Sequence, residues 1–292
     1  VSEELTTMQR VMPDHPVVSA VLWHVPAARM ESFSPEKWFA PDDLAECDAF
    51  TGTGRVEEWT AVRIALKWVM LRDGVADSAL HIHIRKDDKG CPHVVVFNPD
   101  TGHYAKFPCS LSHKGSLVFA AYSKNSAVKV GIDIEKRSWR LPYLRRRFIS
   151  EHDHIIDKGD HIGDCTILWT FKEAATKLLG VGMAYGFANI HCRETSVGLC
   201  ELRDAGGDHY IGRYTWFGKY ALAVVTELCV GPVNPRRSPR RPSRPWYERL
   251  TRDRKLKILR KKQRIREQIV SVKLRNDPKP RSGHHRENGA MK

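Results

Sequence analysis

The sequence predicts an α/β protein of the α+β kind, built as two similar subdomains in pseudo-twofold arrangement, each a small antiparallel sheet packed with helices. Three observations point there. Strand-like and helix-like segments run in the order strand, helix, strands and then strands, helix, strands between residues 17 and 227. The strand segments are short, apolar or alternating, and bounded by turns rich in Gly, Pro, Asn and Asp. At 292 residues with 41% hydrophobic content, the chain is long and apolar enough to bury a core. The expected division is 1–115 for the N-terminal subdomain, 116–230 for the C-terminal one, and 231–292 for a basic tail, disordered or partly helical.

In chain order, Val17 to Val25 reads as a first strand closed by Pro26, and residues 33–55 as loops around a short helix. From Glu57 to Arg72 the apolar residues Trp59, Val62, Leu66, Val69 and Met70 fall at helical spacing, and Gly74 ends the helix. Leu80 to Arg85 alternates, with Leu80, Ile82 and Ile84 on one face and His81, His83 and Arg85 on the other. Asp87 to Gly90 is a turn, and Pro92 opens a second apolar run to Phe97. Ser110 to Gly115 reads as a small polar loop. Leu117 to Ser123 and Lys129 to Glu135 flank a Lys124-Asn125-Ser126 turn and are expected to form a hairpin. Helices follow around Leu141 to Phe148 and Cys165 to Leu179, the second capped by Asp164, and two strands close the body, Tyr210 to Phe217 and Lys219 to Glu227.

Composition narrows the function classes. No run approaches the ~20 apolar residues needed to span a bilayer, and no basic, apolar and cleavage-site pattern opens the chain. The cytosol is therefore the expected compartment, although a start at Val1 leaves an upstream targeting segment open. The seven cysteines are scattered and never spaced Cys-x-x-Cys, which argues for reduced thiols rather than a disulfide framework or a zinc site. The net charge of +14 belongs to the tail: residues 231–292 hold 21 Lys/Arg against 5 Asp/Glu, leaving 27 against 29 elsewhere. Within the tail, Arg236 to Pro245 reads as an extended linker and Arg249 to Leu274 as a basic helix with a thin apolar stripe.

Chemistry concentrates in two apolar segments. In Gly131-Ile132-Asp133-Ile134-Glu135, Asp133 and Glu135 lie two apart on a strand and share one side. Two such carboxylates repel unless a cation lies between them, and a hard ion such as Mg²⁺ with oxygen ligands suits them. Solvated strand-end charges are the plainer reading. In Trp169-Thr170-Phe171-Lys172-Glu173-Ala174-Ala175-Thr176-Lys177, Trp169, Glu173 and Lys177 share a helix face, while Lys172 lies about 100° round. Glu173 suits a third metal ligand or a general base, and Lys177 a phosphate; a solvated helix ion pair is the alternative. Ser112 and His113 beside Lys114, and the turn Gly90-Cys91-Pro92, are weaker signals taken singly.

Together and in this order, these four pieces resemble the 4'-phosphopantetheinyl transferase superfamily in its longer, pseudo-dimeric form, the surfactin-synthetase-activating type. That family has a Gly-x-Pro turn, a Ser-His loop, a Gly-Ile-Asp-Ile-Glu strand and a Trp-x-x-Lys-Glu-x-x-x-Lys helix, matched here at Gly90 to Pro92, Ser112-His113, Gly131 to Glu135 and Trp169 to Lys177. The resemblance runs from about Val17 to Glu227 and implies transfer of 4'-phosphopantetheine from coenzyme A to a serine of an apo acyl or peptidyl carrier protein, releasing 3',5'-ADP. It implies that Asp133, Glu135 and Glu173 ligate Mg²⁺ on the coenzyme A diphosphate, which places the metal site in the C-terminal subdomain. Glu173, or a metal-bound water that it orients, would be the base, and Lys177 would stabilise the α-phosphate and the leaving group with Lys172 close by. Arg63, on a looser match, would bind the 3'-phosphate with Ser112 and His113, while Gly90 and Pro92 would shape the adenine pocket. Cys91, Ser110 and Lys114 depart from the residues frequent at those places, which bears on the geometry of nucleotide binding.

The rival readings are a basic protein acting on nucleic acid, nuclear import or acidic surfaces through residues 236–292, and another Mg²⁺-dependent phosphotransferase or phosphatase. His81 with His83, and His152, Asp153 and His154, have metal-like spacing without an obvious third ligand and are expected to be structural. Two halves in one chain make a monomer the expected state, and Arg140, Arg145, Arg146 and Arg147 form a local basic patch suited to an acidic carrier domain.

Overall fold

In the computed structural model, which describes residues 8–227 apart from 13, 26–33, 48, 49, 51, 89, 156–158, 183 and 184, the strands assort into two antiparallel sheets within one compact unit, Val1–Gly231. The linker and helix expected in the tail, and Cys229, lie outside the described residues. The first sheet contains β1 (Met8–Val11), β2 (Val18–His24), β3 (Ile82–Lys86), β4 (Pro92–Phe97), β5 (Tyr104–Lys114) and β6 (Leu117–Ser123), in the order β1-β2-β6-β5-β4-β3. The second contains β7 (Val130–Lys136), β8 (Ile190–Ser196), β9 (Leu199–Asp204), β10 (His209–Phe217) and β11 (Tyr220–Glu227), in the order β7-β11-β10-β9-β8.

Setting β1 aside, the two orders are the same, and a long helix follows the first strand of each. In the first half, short helices α1 (Pro35–Trp38) and α2 (Pro41–Cys47) precede α3 (Thr53–Arg72). In the second, α4 (Arg140–Leu144) and a 3₁₀ turn at Arg145–Arg147 precede α5 (His161–Leu179). Trp59, Val62, Leu66, Val69 and Met70 of α3 bury themselves on one face of the first sheet, as their spacing requires, against Trp23, Val118, Ala120 and Tyr122. Phe171, Ala174, Ala175 and Leu178 of α5 do the same on the second sheet, against Cys192, Leu202, Ala223 and Val225. The remaining faces form a third cluster, in which Ala20, Leu22, Phe119 and Ala121 meet Ile132, Ile134, Leu222 and Val224. The similar subdomains foreseen in the sequence are thus present as repeated sheet topology.

A buried ion pair is repeated as well. Lys67 of α3 is 1% exposed and donates to the carbonyls of Trp38 and Ala79 and to Asp43 Oδ2, at 2.6, 3.1 and 3.4 Å. Lys172 of α5 is fully buried and donates to the carbonyls of Phe148 and Phe187 and to Asp153 Oδ2, at 2.6, 3.1 and 2.6 Å. In both halves the acid lies five residues after the first carbonyl, and the second carbonyl opens a 3₁₀ turn after the helix. Each ammonium thereby ties its long helix to the segments before and after it, with its donors satisfied. Burial pushes the Lys67 ammonium down to about 8 against the opposing pull of Asp43.

Several elements differ from their sequence reading. Leu117–Ser123 does not form a hairpin with the next strand: β6 pairs with β2 and β5, whereas β7 pairs with β11. β6 is apolar on both faces and lies inside the first sheet, whereas β7 carries Asp133 and Glu135 on one face and forms the edge of the second, so the turn between them marks a change of sheet. The first sheet accordingly runs to Ser123, past residue 115. Leu80 lies in a 3₁₀ turn and is 39% exposed, so the alternating run begins at Ile82. Asp160, whose side chain accepts from the Gly163 amide at 3.0 Å, caps α5, not Asp164. Ser110 to Lys114 is the end of the eleven-residue β5 rather than a loop. Polar residues at i, i+2 and i+4 here mark a strand face turned toward the other sheet.

Candidate active site

The site forms where β5 of the first sheet meets β7, the edge strand of the second. Strand alternation sends Ile132 and Ile134 into the intersheet core and leaves Gly131, Asp133 and Glu135 on the side of α5. Gly131 permits the helix to come close: a Cβ there would land on the Ala174 carbonyl oxygen and lie 2.7 Å from the Leu178 amide nitrogen. That approach lays Glu173 and Lys177, one helical turn apart, over Asp133.

Serine hydroxyls supply what the free edge of β7 lacks. Ser110 Oγ accepts from the Ile132 amide at 3.0 Å and Ser112 Oγ from the Ile134 amide at 3.4 Å, so side chains of β5 stand in for a neighbouring strand. Ser112 also donates to Asp133 Oδ1 at 2.8 Å, and Lys177 Nζ donates to both, at 2.7 Å to Asp133 Oδ1 and 3.0 Å to Ser112 Oγ. Asp133 is 3% exposed, and its other oxygen, Oδ2, is buried with no hydrogen-bond partner among the described residues. Glu135 accepts from Lys114 Nζ at 2.7 Å through Oε2 and from the Lys136 amide at 2.9 Å through Oε1. Burial, with Asp133 and Glu135 nearby, raises the Glu173 carboxyl to about 7 despite the opposing pull of Lys177 and Lys114.

Asp133, Glu135, Glu173, Lys177 and Ser112 are therefore brought together. Lys172 is not: its ammonium is spent on Asp153 and two carbonyls inside the second subdomain, so the sequence expectation of a phosphate-binding Lys172 is corrected. Trp169 lies beside that pair, edge-on to Phe148 and Phe187 with ring centroids at 5.2 and 4.9 Å. Arg63, on α3, and His113, on the face of β5 opposite Ser112, lie together on the α3 side of the first sheet. Arg63 is 5% exposed, its guanidinium 4.0 Å from the Trp59 ring centroid and paired with Glu46 at 3.1 Å. His113 Nε2 lies 3.5 Å from Glu58. Gly90, with φ of +85°, turns the chain into Pro92 at the head of β4, and the Cys91 sulfur packs against Gly180, the left-handed cap of α5. The turn thus reaches the end of the helix that carries Lys177.

Three partners were not foreseen. Lys114 reads in the sequence as a loop lysine suited to a phosphate, and its pairing with Glu135 follows once Ser110 to Lys114 is read as a strand. Glu46 and Glu58, the partners of Arg63 and His113, carry no signal in the sequence that ties them to those residues. The two histidine clusters have partners of their own. His83 lies 3.7 Å from Asp43, which already takes Arg85 and Lys67, and His152 stacks edge-on to His191.

The donor set can be tested against a metal ion. Among the described residues no three acidic, imidazole or thiol groups stand ready as a metal cage. Lys177 and Lys114 hold one oxygen each of Asp133 and Glu135. The donors nonetheless fit a hard divalent cation: all are carboxylate oxygens, Asp133 and Glu135 together help raise the Glu173 carboxyl, and Asp133 Oδ2 is an orphaned buried acceptor.

The segment that builds this face also matches a known family. Residues 129–225 match the model of the 4'-phosphopantetheinyl transferase superfamily. The match contains β7, α5 and the rest of the second sheet, and with them Asp133, Glu135, Glu173 and Lys177. A 4'-phosphopantetheinyl transferase of Bacillus pumilus, psf-1, is 30% identical over 126 residues, 41% of this chain and 53% of that protein. The chain thus spans about half the length of the curated relative it matches. The superfamily domain accounts for the carboxylates and Lys177, whereas Ser112 and Lys114 reach them from the first sheet.

Proposed function

We propose that this chain transfers the 4'-phosphopantetheine group of coenzyme A to a serine of an apo acyl or peptidyl carrier protein and releases 3',5'-ADP. The observation that carries the reading is the convergence of Asp133 and Glu135 from β7 with Glu173 and Lys177 from α5, inside the matched superfamily domain. Its counterpart in the first half lacks these groups. Matching Lys67 to Lys172 puts Trp68 and Arg72 opposite Glu173 and Lys177, and the ends of β2 and β7 align Val21 and Trp23 with Asp133 and Glu135. One site per chain follows.

In this reading Asp133, Glu135 and Glu173 hold Mg²⁺, which when bound neutralises the diphosphate and the charge that grows on the leaving group. Lys177, pinned over Asp133, presents its ammonium to the same phosphates. Glu173, one turn of α5 from Lys177 and beside Asp133, is the candidate base for the proton of the incoming serine. The serine Oγ forms the new bond to the β-phosphorus, the bond to 3',5'-ADP breaks, and the proton goes to Glu173. Arg63 and His113 are placed for the 3'-phosphate only if they exchange Glu46 and Glu58 for it, so they are assigned a secondary part. Gly90 and Pro92 shape the adenine pocket at the end of α5.

The carrier is proposed to dock beside α4. Trp139 and Tyr143 are 67% and 79% exposed and stacked edge-on, next to the exposed Arg140, Arg145, Arg146 and Arg147, a surface suited to an acidic, partly apolar helix. Because Ser112 and Lys114 come from the first sheet and the carboxylates from the second unit of sheet and helix in the same chain, a monomer completes the site. The test is incubation with coenzyme A, Mg²⁺ and a panel of apo carrier domains, read by intact mass. The expected result is a phosphopantetheine adduct with the wild type and none with D133N or E173Q. No adduct on any carrier would overturn the reading.

A further inference from the structure

We propose that Lys114 is a resident cation of this site, holding Glu135 against a divalent metal ion and so setting how much metal the site requires. The inference rests on the reading above, in which Asp133, Glu135 and Glu173 bind the metal. The three carboxylates are not equally available. Asp133 keeps one buried oxygen without a partner, whereas both oxygens of Glu135 are engaged, one by the Lys136 amide at 2.9 Å and one by Lys114 Nζ at 2.7 Å. A metal reaching Glu135 therefore competes with an ammonium already seated there.

The placement of Lys114 is built into the strand. It shares a face of β5 with Ser110 and Ser112, whose hydroxyls fix β5 against β7 through the Ile132 and Ile134 amides. Lys114 is thereby aimed at the strand that carries Glu135. Its side chain is 43% exposed while that of Glu135 is 14% exposed, so the ammonium lies on the solvent side and can swing out into water as a metal ion takes its place at the largely buried Glu135. Lys177 differs, because it is held by both Asp133 and Ser112. With Lys114 present, two ammonium groups face three carboxylates; without it, only one does. Removal of one positive charge a few ångströms from a divalent cation strengthens the binding of that cation.

The experiment titrates Mn²⁺ into the full chain without coenzyme A and follows free Mn²⁺ by electron paramagnetic resonance. K114M and K114Q are expected to bind about tenfold more tightly than the wild type, the scale of one partly screened charge interaction. K114R keeps the charge and is expected to match the wild type, while D133N is expected to lose the site. K114M and K114Q binding no more tightly than the wild type, with D133N still defective, overturns the role of Lys114 and leaves the metal site standing. Wild type and D133N binding alike overturns the metal reading itself, and this inference with it.

Discussion

Replacing Lys172 with methionine tests whether the buried lysine of α5 is a structural or a ligand-binding device. The ammonium is fully buried, and the substitution removes its bonds to Asp153 Oδ2 and to the Phe148 and Phe187 carbonyls while roughly keeping the side-chain volume. Asp153 is itself fully buried, but it retains the Ser150 and Cys192 amides, at 2.7 and 2.8 Å, as donors. Leaving one partner of a buried ion pair uncompensated costs about 3–5 kcal/mol, and the remaining amide donors place K172M near the lower end of that range. With an m-value of about 2 kcal/mol/M, the urea midpoint should fall by about 1.5 M. The assay is equilibrium urea unfolding by tryptophan fluorescence, paired with transfer kinetics at a temperature where the variant is folded. A double variant, K172M with Asp153→Leu, should recover part of the loss because no lone charge remains. K172M with an unchanged midpoint and a raised KM for coenzyme A would refute the argument and return Lys172 to the phosphate site. K67M in the first half should lose less, since Asp43 keeps Arg85 as a charged partner at 2.6 Å.

Other outcomes follow from the same geometry. Gly131→Ala drives a methyl group into the Ala174 carbonyl and the Leu178 amide, so it should cost about 1–3 kcal/mol and lower transfer activity out of proportion, as α5 moves off Asp133; thermal melts and kcat read the two effects separately. Glu173 titrates at about 7 when folded and near 4.5 when unfolded, so its contribution to stability is present below pH 4.5 and lost as pH rises toward 7. In a chelator, E173Q should therefore be more stable than the wild type above pH 7 and lose the corresponding pH dependence in melting curves. His15 has the opposite sign: burial lowers it to about 4 from 6.5, with Arg213 and Lys124 adding to the shift, so its contribution falls away as pH drops from 6.5 toward 4. Its Nδ1 accepts the Val17 and Val18 amides at 3.4 and 3.2 Å, and His15→Ala should flatten the acid limb of a stability profile.

Much of the site was legible because its residues obey local periodicities. A period of two put Asp133 and Glu135 on one side of a strand, and a period near four put Glu173 and Lys177 on one face of a helix. These relations are set by the backbone and survive in any fold that keeps the strand and the helix. Their charge in an apolar setting was itself a signal, since such groups are seldom buried without a task. The repeat of strand, helix and strands was legible for the same reason.

What lay beyond the sequence depended on contacts between distant segments. Whether β6 turned back on β7 or stayed with β2 and β5 could not be read from the two runs themselves, because pairing is decided by which sheet can bury them. Lys172 and Lys177 are both lysines of one short motif, yet one is drawn inward to Asp153 and the other outward to Asp133 and Ser112. The helix sets their angular separation, and only the packing of α5 against residues 148–153 and against β7 decides which of them meets the site. By itself, then, the sequence determined the carboxylate strand, the helix and their chemistry. The tertiary structure decided the meeting of β5 with β7, the approach of α5 to Gly131, the seating of Lys114 on Glu135 and the withdrawal of Lys172, because each depends on the space and charge supplied by residues far away in the chain.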